Sequence, residues 1–229
     1  GIIYIYKSNI KSLSHKLLTL LSAVYVIVCA MRSIFPVKVI ERICYTNEII
    51  SPLIDRFAAT IAEMCFITIL AIISSHISNY LNGSLLITKL IWSSIVIIAN
   101  AQIFCWVGCI TTNQLWNAAE ESLWTLTFII IITVWSNLYC KLRKPYSDIA
   151  MLMRIYMPMF IGCFIFYVIY MLTIDIPMYV HRWKISSSEY NSFFEGVSDM
   201  ATCHKITTNP KYWNDEWIWR LGYFGVAAW

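Results

Sequence analysis

Residues 122–140 read SLWTLTFIIIITVWSNLYC, nineteen positions without one charged side chain. A helix rising about 1.5 Å per residue needs about 20 mainly apolar residues to cross the hydrocarbon core of a bilayer, so this stretch has the length and character of a span. It does not alternate apolar and polar residues, as a strand of a transmembrane barrel would. Inside lipid every backbone N–H and C=O must be satisfied by the protein itself, which leaves the helix.

Four more stretches of the same kind lie near 13–35, 57–77, 86–110 and 151–174. The whole chain is 59% hydrophobic and 13% charged, with a mean hydropathy of +0.64 over 229 residues. That is too apolar for a soluble domain. The fold class expected is all-α: a polytopic transmembrane helix bundle of five complete spans in a single domain. The final run WIWRLGYFGVAAW (217–229) reads as the start of a sixth, incomplete span, with 175–216 as an extramembrane connection. Lys7, Lys11 and Lys16 before LLTLLSAVYVIV imitate a signal peptide. No small-residue cleavage site precedes Arg32, and the run is long enough to span.

With the N-terminus on one side (side A), that side also holds loops 78–89 and 141–150. It carries eight Lys and Arg against a single acid, Asp148. The opposite side (side B) holds 33–56, 111–121 and 175–216, with eight Lys and Arg against eleven acids. The positive-inside rule counts the cations, which are equal here. The compact KLRK cluster (141–144) and the unopposed N-terminal lysines assign side A, with the N-terminus, to the cytoplasmic or matrix-like face.

Charge beside the span ends singles out candidate functional residues on side B. The stretch NAAEESLWT (117–125) places Glu120 and Glu121 before the run quoted above. Asn117 and Glu120 have the spacing of a capping box, and acids suit the positive end of a helix dipole. One cap does not account for two carboxylates. In DRFAATIAE (55–63), Arg56, Thr60 and Glu63 stand at i, i+4 and i+7 on one helix face. Glu63 lies about 10 Å deeper than Arg56, where an acid faces the bundle, pairs or stays protonated. It reads either as a structural, hydrogen-bonded acid or as a working group. Asn100, Gln102 and Trp106 read as interhelical glue.

Asp175 opens DIPMYVHRW, either as a helix stop before Pro177 or as a fourth candidate acid. Arg32, Arg42, Arg56 and Arg182 recur at the side-B boundaries. They read either as headgroup-snorkelling cations or as holders of an anionic group or lipid headgroup. The candidate catalytic residues are therefore Glu63, Glu120, Glu121 and Asp175, and the candidate ligand-binding residues are the four arginines.

The series RSIFP (32–36), ERIC (41–44), SPLIDRFAATIAE (51–63), EESLW (120–124), DIPMYVHRW (175–183) and NDEWIWRLGYFGVAAW (214–229) resembles a group of multi-pass membrane proteins without an assigned activity. The resemblance covers most of the chain from Arg32 onward. It implies the six-span layout and no cofactor or catalytic residue.

No phosphate-binding GxxxxGK[ST], dinucleotide-binding GxGxxG or zinc-binding HExxH occurs. His15 and His76 belong to side A, and His181 and His204 to side B, so they do not pair as axial ligands. Neither a metal nor a cofactor is expected. Cys29, Cys65 and Cys163 read as small buried apolar residues, and Cys105 and Cys109 share a helix face. Cys44 and Cys203 both fall on side B and can form a disulfide if that side is oxidising. The segment 189–217 suits a short amphipathic helix at the interface.

Two functions fit. One is a non-catalytic integral membrane subunit or assembly partner of a larger complex, respiratory or otherwise energy-transducing. Its partners would be membrane lipids and other membrane subunits, with no role for nucleic acid. The other is a membrane-embedded enzyme or carrier acting on a lipid or small anion at side B. No nucleophile–base signature is present, which favours the first.

Overall fold

The structure, a computed structural model, describes residues 13–46, 49–142, 148–186 and 190–213. Five helical stretches are long and apolar enough to cross a membrane. In chain order they are α1 (Leu13–Ile34), α2 (Pro52–Tyr80), α3 (Leu85–Thr111), α4 (Gln114–Lys141) and a continuous rod that begins as α5 (Asp148–Tyr170). The rod passes through a π-helical turn, Met171–Asp175, and ends as α6 (Ile176–Ile185). The all-α bundle read from the sequence is therefore the architecture of the described residues. The sixth span expected at 217–229 lies outside them.

Local chemistry sets the helix starts. Ser51 and Ser84 accept from the amides of Ile54 and Ile87, three residues on, and Pro52 begins α2 where no amide hydrogen is needed. α2 thus starts five residues before the apolar run that suggested it, and Arg56 is helical rather than in a loop. Between α2 and α3, the amide of Gly83 donates to the carbonyl of Ser78 at 2.7 Å. A Cβ at Gly83 would lie 1.9 Å from Ser78 Oγ and 3.1 Å from the Ser78 carbonyl oxygen, so a larger residue would require the Ser78 hydroxyl to rotate and the turn to loosen.

The connection placed at 111–121 is in fact two residues long. Thr112 turns the chain with φ 61°, and Asn113 caps α4 by accepting from the Leu115 amide at 3.1 Å. The expected capping box at Asn117 and Glu120 is thereby corrected. Both are inside the helix and buried. Asn113 is the polar residue nearest the true chain reversal, whereas the apolar run that defined the span begins two turns later.

Asp175-Ile-Pro likewise does not stop the rod. Proline in a helix loses one bond and its ring crowds the carbonyl four residues back. Here the turn before Pro177 widens, and the Ile176 amide donates to Met171, five residues back. The widened ladder carries the chain past the proline, so the connection begins after Ile185.

α3 and α4 form the most extensive helix pair, with α2 against α3, α1 against α2 and the rod against α4. Ile67, Leu70, Ile91, Ile98, Phe128 and Trp135 are central to the apolar core. In a membrane such helices associate by close packing and interhelical hydrogen bonds. Trp135 Nε1 donates to Ser74 Oγ at 2.7 Å, joining α4 to α2.

Side B carries an element that the sequence did not announce, a three-stranded sheet. β1 (Val37–Lys38) pairs antiparallel with β2 (Ile43–Cys44), and β2 pairs parallel with β3 (Lys205–Ile206). A disulfide, Cys44–Cys203, joins the two ends of this cap across 159 residues of sequence. The expected short helix is α7 (Phe193–Met200), packed on the side-B end of α3. Cys65 is buried as expected, but Cys163 faces out of the bundle.

Candidate functional site

The face carrying Arg56, Thr60 and Glu63 turns towards α3, as its helical spacing required. Arg56 Nη2 donates to Gln102 Oε1 at 2.5 Å and lies 3.2 Å from Glu63 Oε1. Gln102 Nε2 in turn donates to Glu63 Oε2 at 2.7 Å, closing a three-residue ring of polar contacts. Glu120 Oε1 of α4 stands 3.9 Å from the same guanidinium nitrogen. Trp106 Nε1 donates to Thr60 Oγ1 at 3.0 Å. Gln102 and Trp106 are therefore interhelical ties. Asn100 is not: it is exposed and donates to Val96 of its own helix.

Arg56 and Glu120 are buried, and the Glu63 side chain is 17% exposed. A buried ion pair is costly to desolvate and is sustained only with good geometry and further hydrogen bonds. Gln102 supplies those bonds here, one amide group serving the cation and the anion together.

Glu121 and Asp175 extend this group. Glu121 is half-buried one residue past Glu120, and its charged neighbours are Glu120, Asp175, Glu63 and Arg56. Asp175 is buried at the end of the π turn, where the rod meets α4. Tyr167 and Tyr179, above and below the turn, have Glu121 and Asp175 among their charged neighbours. Glu63 and Glu120 thus share the buried Arg56, Glu121 follows Glu120 on α4, and Asp175 sits where the rod meets α4.

The other arginines are placed differently. Arg32 forms a forked ion pair with Asp55, Nε to Oδ1 at 2.9 Å and Nη2 to Oδ2 at 3.3 Å. Arg42 is 1% exposed and has φ 55°. It donates from Nε to Asp199 Oδ2 at 2.8 Å, from Nη2 to the Cys109 carbonyl at 2.9 Å, and from Nη1 to the Val39 carbonyl. It therefore ties the cap to the C-terminal end of α3, where backbone carbonyls lack helical partners. Arg182 is exposed, and its electrostatic reach extends to Asp175.

Asp55 and Asp199 were counted only as loop charges, yet each holds a buried arginine. Asp55 had a signal, since it stands beside Arg56 at the start of an apolar helix. Nothing local marked Asp199, which lies 157 residues from Arg42. Outside the spans, burial raises the Asp199 carboxyl, but hydrogen bonds and charge from Arg42 and His204 outweigh it and hold the group below the usual carboxylate range. His204 Nε2 stands 2.5 Å from Asp199 Oδ1.

Among the described residues no group of three or more His, Cys, Asp and Glu is arranged to hold a metal ion. The chain matches no known protein family, no curated protein and no solved structure.

Proposed function

We propose that this integral membrane protein is a proton-handling carrier or enzyme whose working centre is the side-B cluster of Glu63, Glu120, Glu121 and Asp175 around Arg56. One observation carries the reading: four carboxylates gather about two arginines, buried Arg56, which lies 3.2 Å from Glu63 and 3.9 Å from Glu120, and exposed Arg182, about two helical turns past buried Asp175. Intramembrane charge is expensive, so the surplus must be balanced by protons or by a cationic ligand, and such residues mark proton relays and ion paths. Arg56, Gln102 and Glu63 form the fixed part. Glu121 and Asp175, which have no hydrogen bond or ion pair among the described residues, form the part free to exchange a proton.

The two sides of the membrane follow from the same reading. A disulfide persists where the compartment is oxidising. Cys44–Cys203 therefore supports an extracellular or lumenal side B, with the N-terminus on the cytoplasmic or matrix-like side.

The test is difference infrared spectroscopy of the protein in lipid nanodiscs, stepped in pH across neutrality. The expected result is a protonated-carboxyl C=O band that Glu121→Gln or Asp175→Asn removes without lowering the melting temperature. A spectrum without such a band would overturn the reading.

A second reading, a subunit of a larger membrane complex, is favoured by the outer helices. α1 exposes Leu20, Val26 and Ile27, and α5 exposes Met151, Ile155 and Phe166. Lipid and neighbouring subunits can both cover such faces. Migration with a large assembly on native gels after mild solubilisation would support this reading, together with loss of that assembly in Glu121→Gln.

A further inference from the structure

On α3, Gln102, Cys105 and Cys109 stand at i, i+3 and i+7, on one face, and on α2 Leu53, Arg56 and Thr60 have the same spacing. The ring of Arg56, Gln102 and Glu63 is therefore followed, towards side B, by an apolar layer. The cap completes that layer: Met200 is fully buried against Cys105, Cys109 and Ile110, and Val39 and Leu53 pack on the same cluster. On the α4 flank Asn117 fills the groove against Gly108, where a Cβ would lie 2.3 Å from Asn117 Oδ1.

The two ways out of the ring are unequal. From Gln102 to Cys109 the α3 axis rises about 10 Å, whereas from Gln102 to Ile87, at the side-A end of the main apolar core, it runs about 22 Å. The thin barrier is also the one built from separable parts. Its two limbs, 37–44 and 193–206, are joined by Cys44–Cys203 and by Arg42 Nε donating to Asp199 at 2.8 Å. They are fastened to α3 by Arg42 Nη2 on the Cys109 carbonyl at 2.9 Å and by the Asn191 amide on the Thr111 carbonyl at 3.3 Å.

We propose that the cap is a gate over the side-B mouth of the carboxylate cluster, with Met200 and Val39 as its plug and Cys44–Cys203 as its latch. Opening lifts the plug from Cys105 and Cys109 and admits water, and with it protons, to the ring. Elements that open locally are those held by few contacts, and the bundle beneath stays packed. Asn117 Oδ1, buried at this mouth, accepts no hydrogen bond among the described residues, so entering water recovers a cost of the closed state. Joined limbs must leave α3 together, which keeps opening rare; parted limbs leave singly. The inference rests on the proton-handling reading for what passes the gate.

Cys105 and Cys109 report on the gate directly, because they lie within the plugged layer. In sealed vesicles, an impermeant maleimide on side B should modify them only slowly in the oxidised wild-type chain. A phosphine is then applied and removed; it becomes its oxide as Cys44–Cys203 takes up two electrons and two protons. Loss of a disulfide constraint should speed modification of Cys105 and Cys109 from side B by at least about tenfold. Peptide mapping supplies the controls: alkylated Cys44 and Cys203 prove reduction, and unmodified Cys140 proves the seal. Met200→Ala should give faster modification with the latch intact, and Met200→Leu should not. Unchanged rates after Cys44 and Cys203 are fully alkylated would overturn the gate, as would equal acceleration with the reagent on side A. A missing carboxyl band would overturn the proton-handling reading instead, because thiol modification does not depend on it.

Discussion

Arg32, near the end of the first span, and Asp55, at the start of the second, form a forked ion pair in which the Asp55 side chain is only 2% exposed. The pair staples α1 to α2 at the level where the chain leaves for the cap. Removing one member deprives the other, itself buried, of the opposite charge in this fork. Asp55→Ala should therefore cost about 3–5 kcal/mol, whereas Arg32→Met combined with Asp55→Leu should restore most of that loss. Thermal unfolding in detergent measures both, and equal losses in the single and double variants would contradict the assignment.

Cap stability should depend on pH through Asp199. Its folded carboxyl lies below the ordinary value because Arg42 and His204 together outweigh the effect of burial. A depressed acid stabilises the fold above its unfolded value, and that contribution is lost as the pH falls through the folded one. Hydrogen-exchange protection over 190–213, measured against the intrinsic rate at each pH, should be steady from neutral pH down to about 4 and fall below that, the unperturbed carboxylate range. Asp199→Asn should show faster exchange already at neutral pH and a flatter acid limb.

Gly196 marks where α7 touches α3. A Cβ there would lie 2.1 Å from the Ile110 carbonyl oxygen, a backbone atom that cannot rotate away. Gly196→Ala should lift α7 and destabilise the cap by about 1–3 kcal/mol, the range for overpacking. Gly162→Ala is the control, since its Cβ would meet nothing within 4 Å. Protease susceptibility after Ile185 should rise in the first variant alone.

Topology is open to a direct check with thiols. Cys140 is free and exposed at the side-A end of α4, and Ser186 is exposed just past the side-B end of the rod. In sealed vesicles, an impermeant maleimide should reach Cys140 and an introduced Ser186→Cys from opposite sides. Labelling of both from one side would remove a span between them. The Asn82-Gly83-Ser84 sequon, on side A, should stay unglycosylated.

Part of the candidate site was legible along the chain. Arg56, Thr60 and Glu63 fall on one face by helical spacing alone, and the cost of burying Glu63 turns that face inward. Gln102 was recognisable as a polar tie, but its two partners were not. Glu120 was misread as a cap because the apolar run begins after the helix does. Polar residues in the first turns of α4 hid two turns of helix.

The sequence by itself determined the class, the number of described spans and the side on which acids gather. Those follow from hydrophobicity and length, which lipid imposes on each segment separately. Only the tertiary structure decided which charge meets which, and how the cap closes. The pairings of Arg42 with Asp199 and of Cys44 with Cys203 cross 157 and 159 residues. Helical periodicity says which face a side chain occupies, and desolvation says that it needs a partner. Neither says which distant segment will supply that partner, because this depends on how helices and loops pack in three dimensions.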